Sequence, residues 1–309
     1  MIVVSGGGRL PDRLRGGAIA LGNFDGVHRG HQAVIGAAVE RARAEGRPAL
    51  VGTFAPHPAR FFLPDKPPFA LTCPEQKQEL LAALGVDATV VIPFDAGLAR
   101  LSAAEFAAGW LGARLGIAHA VTGMDFTFGK GRTGSVGQLA AFGRESGFTA
   151  EAVPPVTDGG AVISSTRIRE ALVKGDMAEA TRLLGRPFAI RGPVLPGDRR
   201  GRTIGVPTAN QQLGAYLRPR YGVYAARVRL ADGALLAGVA NLGVRPMFDP
   251  PKELLETWIF DWSGDLYGQE IDVQLIEWLR PELRLDGLAA LRARIAEDER
   301  LARRILAEI

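Results

Sequence analysis

Ala18-Ile-Ala-Leu-Gly-Asn-Phe-Asp-Gly-Val-His-Arg-Gly-His-Gln32 is the stretch on which the reading of this chain turns. Its first half is a short apolar run ending in Gly22-Asn-Phe-Asp-Gly26, the pattern of a buried strand entering a turn. Its second half opens a helical periodicity from His31 to Glu45 that stops at Gly46. His28 and His31 stand three residues apart, a spacing that lets both imidazoles face one point where the turn enters the helix. Free amides at a helix start, with Gly26 and Gly30 letting an anion approach the backbone, suit that point to a phosphate chain.

Outward from this unit the alternation continues. Ala49-Leu-Val-Gly-Thr-Phe54 reads as a strand, Glu75 to Leu84 as a helix closed by Gly85, Ala88 to Phe94 as a strand, Ala103 to Leu115 as a helix, and Ala118 begins another strand. This βαβα order predicts a parallel sheet with helices on both faces and ligands at the carboxyl ends of its strands. After Leu184 the texture changes to short β-type segments separated by Gly, Pro, Asn and Asp. Tyr224 to Leu230, Leu235 to Asn241, Leu255 to Phe260 and Ile271 to Leu279 are strand candidates, with a hairpin turn at Ala231-Asp-Gly233. Such spacing predicts a small closed or partly closed barrel. Leu288, Leu291, Ile295, Leu301 and Ile305 recur at mostly helical intervals, so a terminal helix from Gly287 to Ile309 packs on it.

A length of 309 residues exceeds one usual core, and two domains are expected. With 47% hydrophobic and 23% charged residues the chain is globular in composition. The net charge of +4 is dispersed, its longest clusters being Arg199-Arg200-x-Arg202 and Arg303-Arg304. Guanidinium groups in that pattern fit anionic small molecules, and no nucleic-acid partner is expected. No window approaches the roughly 18 apolar residues of a membrane span, and Met1-Ile-Val-Val-Ser-Gly-Gly-Gly8 has no export pattern, so a cytoplasmic home without membrane partners is expected. Cys73, the single cysteine, excludes an internal disulfide and a multi-cysteine metal site. Self-association stays open.

The string Gly22-Asn-Phe-Asp-Gly-Val-His-Arg-Gly-His-Gln32 resembles the nucleotidyltransferases that carry a His-x-Gly-His signature, and within them the FAD synthetases. Thr53-Phe-Ala-Pro-His-Pro58 is similar to the second loop of that branch. Gly123-Met-Asp-Phe-Thr-Phe-Gly-Lys-Gly-Arg-Thr-Gly134 is similar to its flavin- and nucleotide-facing loop, and Ile163-Ser-Ser-Thr-Arg-Ile-Arg169 to the second signature of the superfamily. The resemblance implies adenylyl transfer from ATP to FMN, giving FAD and pyrophosphate. It implies catalytic roles for His28 and His31, nucleotide contacts at Gly22, Phe24, His28, His31, Asp125, Ser165, Thr166 and Arg169, and flavin contacts at Asn23, His57, Phe126 and Phe128. Displacement at the α-phosphorus needs donors around the transferring group and no protein nucleophile.

Other readings of the same residues stand beside this one. Two histidines near a helix start also serve as caps or zinc ligands. Gly129-Lys-Gly-Arg-Thr-Gly134 satisfies a dinucleotide fingerprint, yet it follows the fourth or fifth strand instead of opening the first βαβ unit. His57, between two prolines, is equally a satisfied loop residue, and His119 in an apolar run reads as packing.

In the second half, Gly197, Gly201 and Gly205 let backbone amides cradle phosphates. Thr208 and Asn210, two apart on an extended segment, put two oxygen ligands on one side, as Mg²⁺ would need. No Walker-type loop is present. The segment Gly192 to Asn210 resembles riboflavin kinase, whose Mg-ATP motif matches Pro207-Thr-Ala-Asn210. The similarity continues through Gly222-Val-Tyr224, Asn241-Leu-Gly-x-Arg-Pro246, Glu256 ahead of Trp258-Ile-Phe-Asp261, Leu266-Tyr-Gly268 and Arg280-Pro-Glu282. It implies phosphorylation of riboflavin to FMN by ATP, with Glu256 as general base, nucleotide contacts at Gly197, Gly201, Arg202, Gly205 and Thr208, and Mg²⁺ on Thr208 and Asn210. Val206, Met247, Trp258 and Leu285 depart from the family's usual residues.

Together the two resemblances imply a Rossmann-like doubly wound α/β sheet over residues 1–184 and an all-β Greek-key barrel with a C-terminal helix over 185–309. Two other functions stay in view: adenylyl transfer alone beside a weakened kinase barrel, and a non-enzymatic flavin- or nucleic-acid-binding regulator suggested by the isoelectric point near 9.5.

Overall fold

The apolar runs of the first half become a wholly parallel six-stranded sheet, because from Ala18 onward helical segments between successive runs carry the chain back to the end where the next strand starts. The computed structural model describes residues 1–196, 205–245, 252–284 and 286–309. Contacts divide the chain into two units, one of residues 1–67 and 74–164, the other of residues 68–73 and 165–309.

In the first unit the strands are β1 (Ile2–Ser5), β2 (Ala18–Leu21), β3 (Ala49–Ala55), β4 (Ala88–Pro93), β5 (His119–Gly123) and β6 (Thr149–Val153), in the order β1-β4-β3-β2-β5-β6. The chain steps outward from β2 through β3 and β4, then reverses to β5 and β6. Neighbouring β2 and β5 therefore flank the switch point where open α/β sheets bind ligands. Helices α1 (Arg29–Ala44), α2 (Pro58–Phe62), α3 (Pro74–Ala83), α4 (Ala96–Arg100), α5 (Ala103–Glu105) and α6 (Val136–Ser146) fill the connections. Val34, Ile35 and Ala38 of α1 and Leu81 of α3 bury one sheet face. Phe106, Trp110, Leu111 and Leu139 bury the other.

The helix expected over Ala103 to Leu115 is α-helical only to Glu105 and continues as a π-helix over Phe106–Leu115. Gly116, left-handed at φ 56°, ends it by donating its amide to Leu111 O. Residue spacing alone does not separate the two helix types, since both bury Phe106, Trp110 and Leu111. A small hairpin, β7 (Thr157–Asp158) with β8 (Ala161–Val162), closes the unit.

The second unit holds helices α7 (Ser165–Lys174) and α8 (Met177–Leu184), then β9 (Phe188–Pro193), β10 (Ala209–Gln212), β11 (Gly222–Arg229), β12 (Leu235–Arg245), β13 (Lys252–Ile259) and β14 (Glu270–Arg280). The strands run antiparallel in the order β10-β13-β12-β11-β14-β9, so the connections β10 to β11 and β13 to β14 pass over intervening strands. The two ends of that order meet: Leu195 N donates to Asn210 O at 2.8 Å. The buried Gln211 amide donates to Gly192 O at 2.8 Å and Ile271 O at 3.0 Å, stapling β10 to β9 and β14. Tyr224, Val228, Leu242, Leu255, Val273 and Leu275 fill the interior. Helix α9 (Gly287–Ala307) buries Ala302 and Leu306 against Ala225 and Phe260 on the outside, with Trp258 packed beside them.

Candidate functional sites

The turn between β2 and α1 is built under strain. Phe24 and Val27 hold left-handed φ values of 49° and 42°, a conformation that costs a non-glycine residue about 1–3 kcal/mol. Its braces come from elsewhere in the first unit. Thr53 Oγ1 and Lys77 Nζ both donate to Asn23 O, at 3.1 and 3.0 Å, and Gln32 Nε2 donates to Val27 O at 2.9 Å. Burial pulls the Lys77 ammonium below the ordinary lysine range, while the Asp25 carboxylate pushes it back up.

On this brace His28 and His31 lie with their rings stacked, centroids 3.5 Å apart and planes inclined by 20°. His28 is 4% exposed and is the N-cap of α1, its Nδ1 accepting from His31 N at 3.3 Å. Phe24, 2% exposed, sets its ring edge-on to His31 at 5.3 Å. Gly30 leaves the room: a Cβ there would sit 3.2 Å from both the His28 ring and Ile163 O. The cap reading and the paired-imidazole reading are thus both realised, in one buried residue. Among the described residues there is no cluster of three or more His, Cys, Asp or Glu side chains able to hold a metal ion.

The loop after β5 carries Asp125 exposed, while Phe126 and Phe128 stack at 5.7 Å with planes 17° apart. Phe128 continues into a train of rings through Phe106, Phe54 and Phe94 to Phe61 and Phe62. Phe62 is 62% exposed. His57 caps the short α2, its Nδ1 accepting from Ala59 N at 3.1 Å. Gly129 and Gly131 lie in a turn after the fifth strand of the chain, away from the first βαβ unit.

His119 corrects an expectation. It is not packed in an apolar setting: Nδ1 is hydrogen-bonded to Thr149 Oγ1, and Nε2 lies 2.7 Å from Glu45 Oε2. The imidazole holds the Glu45 carboxyl below its usual range. This network sits at the amino ends of the strands, opposite the histidine pair.

In the second unit, Ser165 and Thr166 open α7, and Arg169 one turn on donates Nε to Phe69 O at 2.9 Å with its guanidinium 5.4 Å from the Phe69 ring. On the barrel, register puts Asn210 opposite Glu256 on one side and Asn241 opposite Glu256 on the other. Directly opposed residues share a sheet face, so a carboxylate stands between two amides. Asn241 Nδ2 donates to Glu282 Oε1 at 3.0 Å, and a side chain at Gly243 would collide with that carboxylate. Asn241 and Glu282 lie in motifs quoted from the sequence, yet only the register puts Asn241 opposite Glu256, and only its hydrogen bond ties Glu282 to Asn241.

Thr208 lines a cavity of about 350 Å³ together with Pro207, Ala209, Thr257, Trp262 and Tyr267. The Thr208 hydroxyl and the Asn210 amide oxygen are both hard oxygen donors, the chemistry Mg²⁺ takes. Gly205 precedes this strand with φ 81°. Gly197, Gly201, Arg202, Met247 and Leu285 lie outside the described residues. Trp258, a departure from the family's usual residue, packs edge-on to Phe260 at 5.0 Å on the α9 side.

Comparison with known proteins follows the same division. The FAD synthetase family matches residues 10–167 and the riboflavin kinase family residues 184–306. The bifunctional riboflavin kinase/FMN adenylyltransferase of Escherichia coli K12 is 42% identical over 288 residues, 93% of this chain and 92% of that protein. The protein of the same description from Pseudomonas fluorescens is 42% identical over 99% of this chain and 98% of its own length. A crystal structure described as a macrolide-efflux protein from Streptococcus pneumoniae shares the fold with a TM-score of 0.88 at 31% identity, covering 98% of this chain and 99% of that one. Among the described residues no helix is long and apolar enough to cross a membrane.

Proposed function

Because this chain belongs to the family of bifunctional riboflavin kinase/FMN adenylyltransferases, we propose that it makes FMN from riboflavin and ATP and then FAD from FMN and a second ATP. Adenylyl transfer falls to residues 1–184 and phosphorylation to residues 185–309. The observation that carries the reading is the stacked imidazole pair at the start of α1, with His28 buried, in a chain whose barrel sets Glu256 between two amides.

In adenylyl transfer an FMN phosphate oxygen attacks the α-phosphorus of ATP and pyrophosphate leaves. His28 and His31, at the start of α1, donate to the charge that develops. Ser165, Thr166 and Arg169 hold phosphate oxygens at the start of α7. Asp125 and the Gly22–Phe24 backbone take the rest of the nucleotide, and Asn23, His57, Phe126 and Phe128 take the flavin, the aromatic train giving its ring a stacking wall.

In the kinase reaction the ribityl 5′-hydroxyl of riboflavin attacks the γ-phosphorus of ATP and ADP leaves. Glu256 accepts the hydroxyl proton, an effect typically of about 10²- to 10⁴-fold. Thr208 and Asn210 would hold Mg²⁺, which when bound neutralises phosphate charge. The ATP lies in the cavity lined by Thr208, with Gly197, Gly201, Arg202 and Gly205 on its phosphates. Both reactions consume ATP, which suits a cytoplasmic protein.

The test is turnover of the full chain with each flavin. Riboflavin, ATP and Mg²⁺ are expected to give FMN and then FAD, and FMN with ATP to give FAD. FAD from FMN but no product from riboflavin would leave adenylyl transfer alone, and no turnover of either flavin would overturn the proposal.

A further inference from the structure

The floor of the Thr208 cavity carries a polar group that none of the motifs predicts. Thr257, on β13 next to Glu256 but facing the barrel interior, is 1% exposed, and its Oγ1 has no hydrogen-bond partner among the described residues. The reason lies in the register: its two cross-strand neighbours are Ala209 and Ala240, whose methyl groups offer neither donor nor acceptor. Across the cavity the wall is already shaped, with Asp265 accepting from Tyr267 N at 3.0 Å and giving its carbonyl to Gln269 Nε2 at 2.7 Å. A buried hydroxyl without a partner is costly, and native interiors rarely keep one unless something else uses it. Valine would fill the same volume and is at home in a strand, so packing alone gives no reason for the oxygen.

We propose that Thr257 is a further ATP-binding residue of the kinase site, its hydroxyl hydrogen-bonding the nucleotide that Thr208 also meets. This rests on the assignment of the Thr208 cavity to ATP. Thr208 immediately precedes Ala209 at the entry to β10, Thr257 lies directly across from that alanine, and both line the cavity.

The test uses the full chain with Thr257→Val, Thr257→Ser and Thr208→Ala, following total FMN plus FAD formed from riboflavin as ATP is varied. Thr257→Val is expected to raise KM for ATP about three- to tenfold. KM for riboflavin and the rate of FAD formation from FMN stay unchanged, and the melting temperature without ligand does not fall. Thr257→Ser, which keeps the hydroxyl, stays near the parent. An unchanged KM for ATP in Thr257→Val, while Thr208→Ala raises it, would sink the role of Thr257 and leave the cavity assignment standing. No change from either substitution would sink the assignment itself. A lower melting temperature in Thr257→Val with no rescue by serine would mark the residue as packing and overturn the proposal.

Discussion

His28 does two things that a single substitution to alanine would confound. Its Nδ1 caps α1, and its ring stacks on His31. Asparagine is among the best N-caps, so His28→Asn keeps an acceptor for the His31 amide while removing the imidazole. FAD formation from FMN is expected to fall by about 10²-fold or more in both variants, as when an electrostatic donor is lost. Thermal unfolding is expected to separate them, with His28→Ala about 1 kcal/mol less stable and His28→Asn near the parent. Full activity in the asparagine variant would contradict a role for the ring. The histidines, Gly30 and the barrel's Thr208, Asn210 and Glu256 were readable from short-range spacing and resemblance. The brace made by Lys77 and Thr53 was not, although Thr53 opens a quoted motif, because each acts on the carbonyl of Asn23, and a bond to a backbone atom 54 or 30 residues away leaves no local pattern. Asn241 needed strand register, which a sequence fixes only through its folded pairing, and Glu282 needed its hydrogen bond to Asn241.

At the scale of elements, the end of α1 is tied to the sheet by one carboxylate. Asp87 accepts from Arg43 at 2.7 and 3.0 Å and from Ala49 N at 2.8 Å, joining the C-terminal turn of α1 to the starts of β3 and β4. The Arg43 guanidinium holds the Asp87 carboxyl below its ordinary range. A depressed carboxylate contributes stability that is full above its unfolded pKa, about 4, and is lost as pH falls through the lower native value. Asp87→Asn is therefore expected to cost about 1 kcal/mol or less at pH 7, the pair being substantially solvated. The difference from the parent should close as the solution is acidified, which thermal melts across pH 7 to 2 would follow. A constant difference at every pH would contradict the ionic origin. The βα alternation that places this tie was visible in the apolar periodicity. Strand β1 was not, since Ile2–Ser5 is four residues at the sheet edge followed by three glycines, and only its pairing with β4 makes it a strand. The grouping of α7 and α8 with the barrel was equally hidden: it shows only in long-range contacts such as Arg220 N bonding Leu172 O.

For the whole molecule, the question is whether the two chemistries depend on each other within one chain. His28 and Glu256 lie in different units, each with its own hydrophobic clusters, so loss of one side chain leaves the other site's supports in place. A chain carrying His28→Asn should still turn riboflavin into FMN, and one carrying Glu256→Ala should still turn FMN into FAD. FMN is a soluble product of the first and a substrate of the second, and nothing in either reaction requires that both occur on one polypeptide. An equimolar mixture of the two variants is therefore expected to make FAD from riboflavin, with free FMN appearing first and a lag that shortens as the Glu256→Ala chain is raised. Chromatography of the flavins over time measures this. FMN that accumulates without ever becoming FAD, although the Glu256→Ala chain converts added FMN, would mean that the product stays bound where it is made, and would contradict independent sites linked through solution.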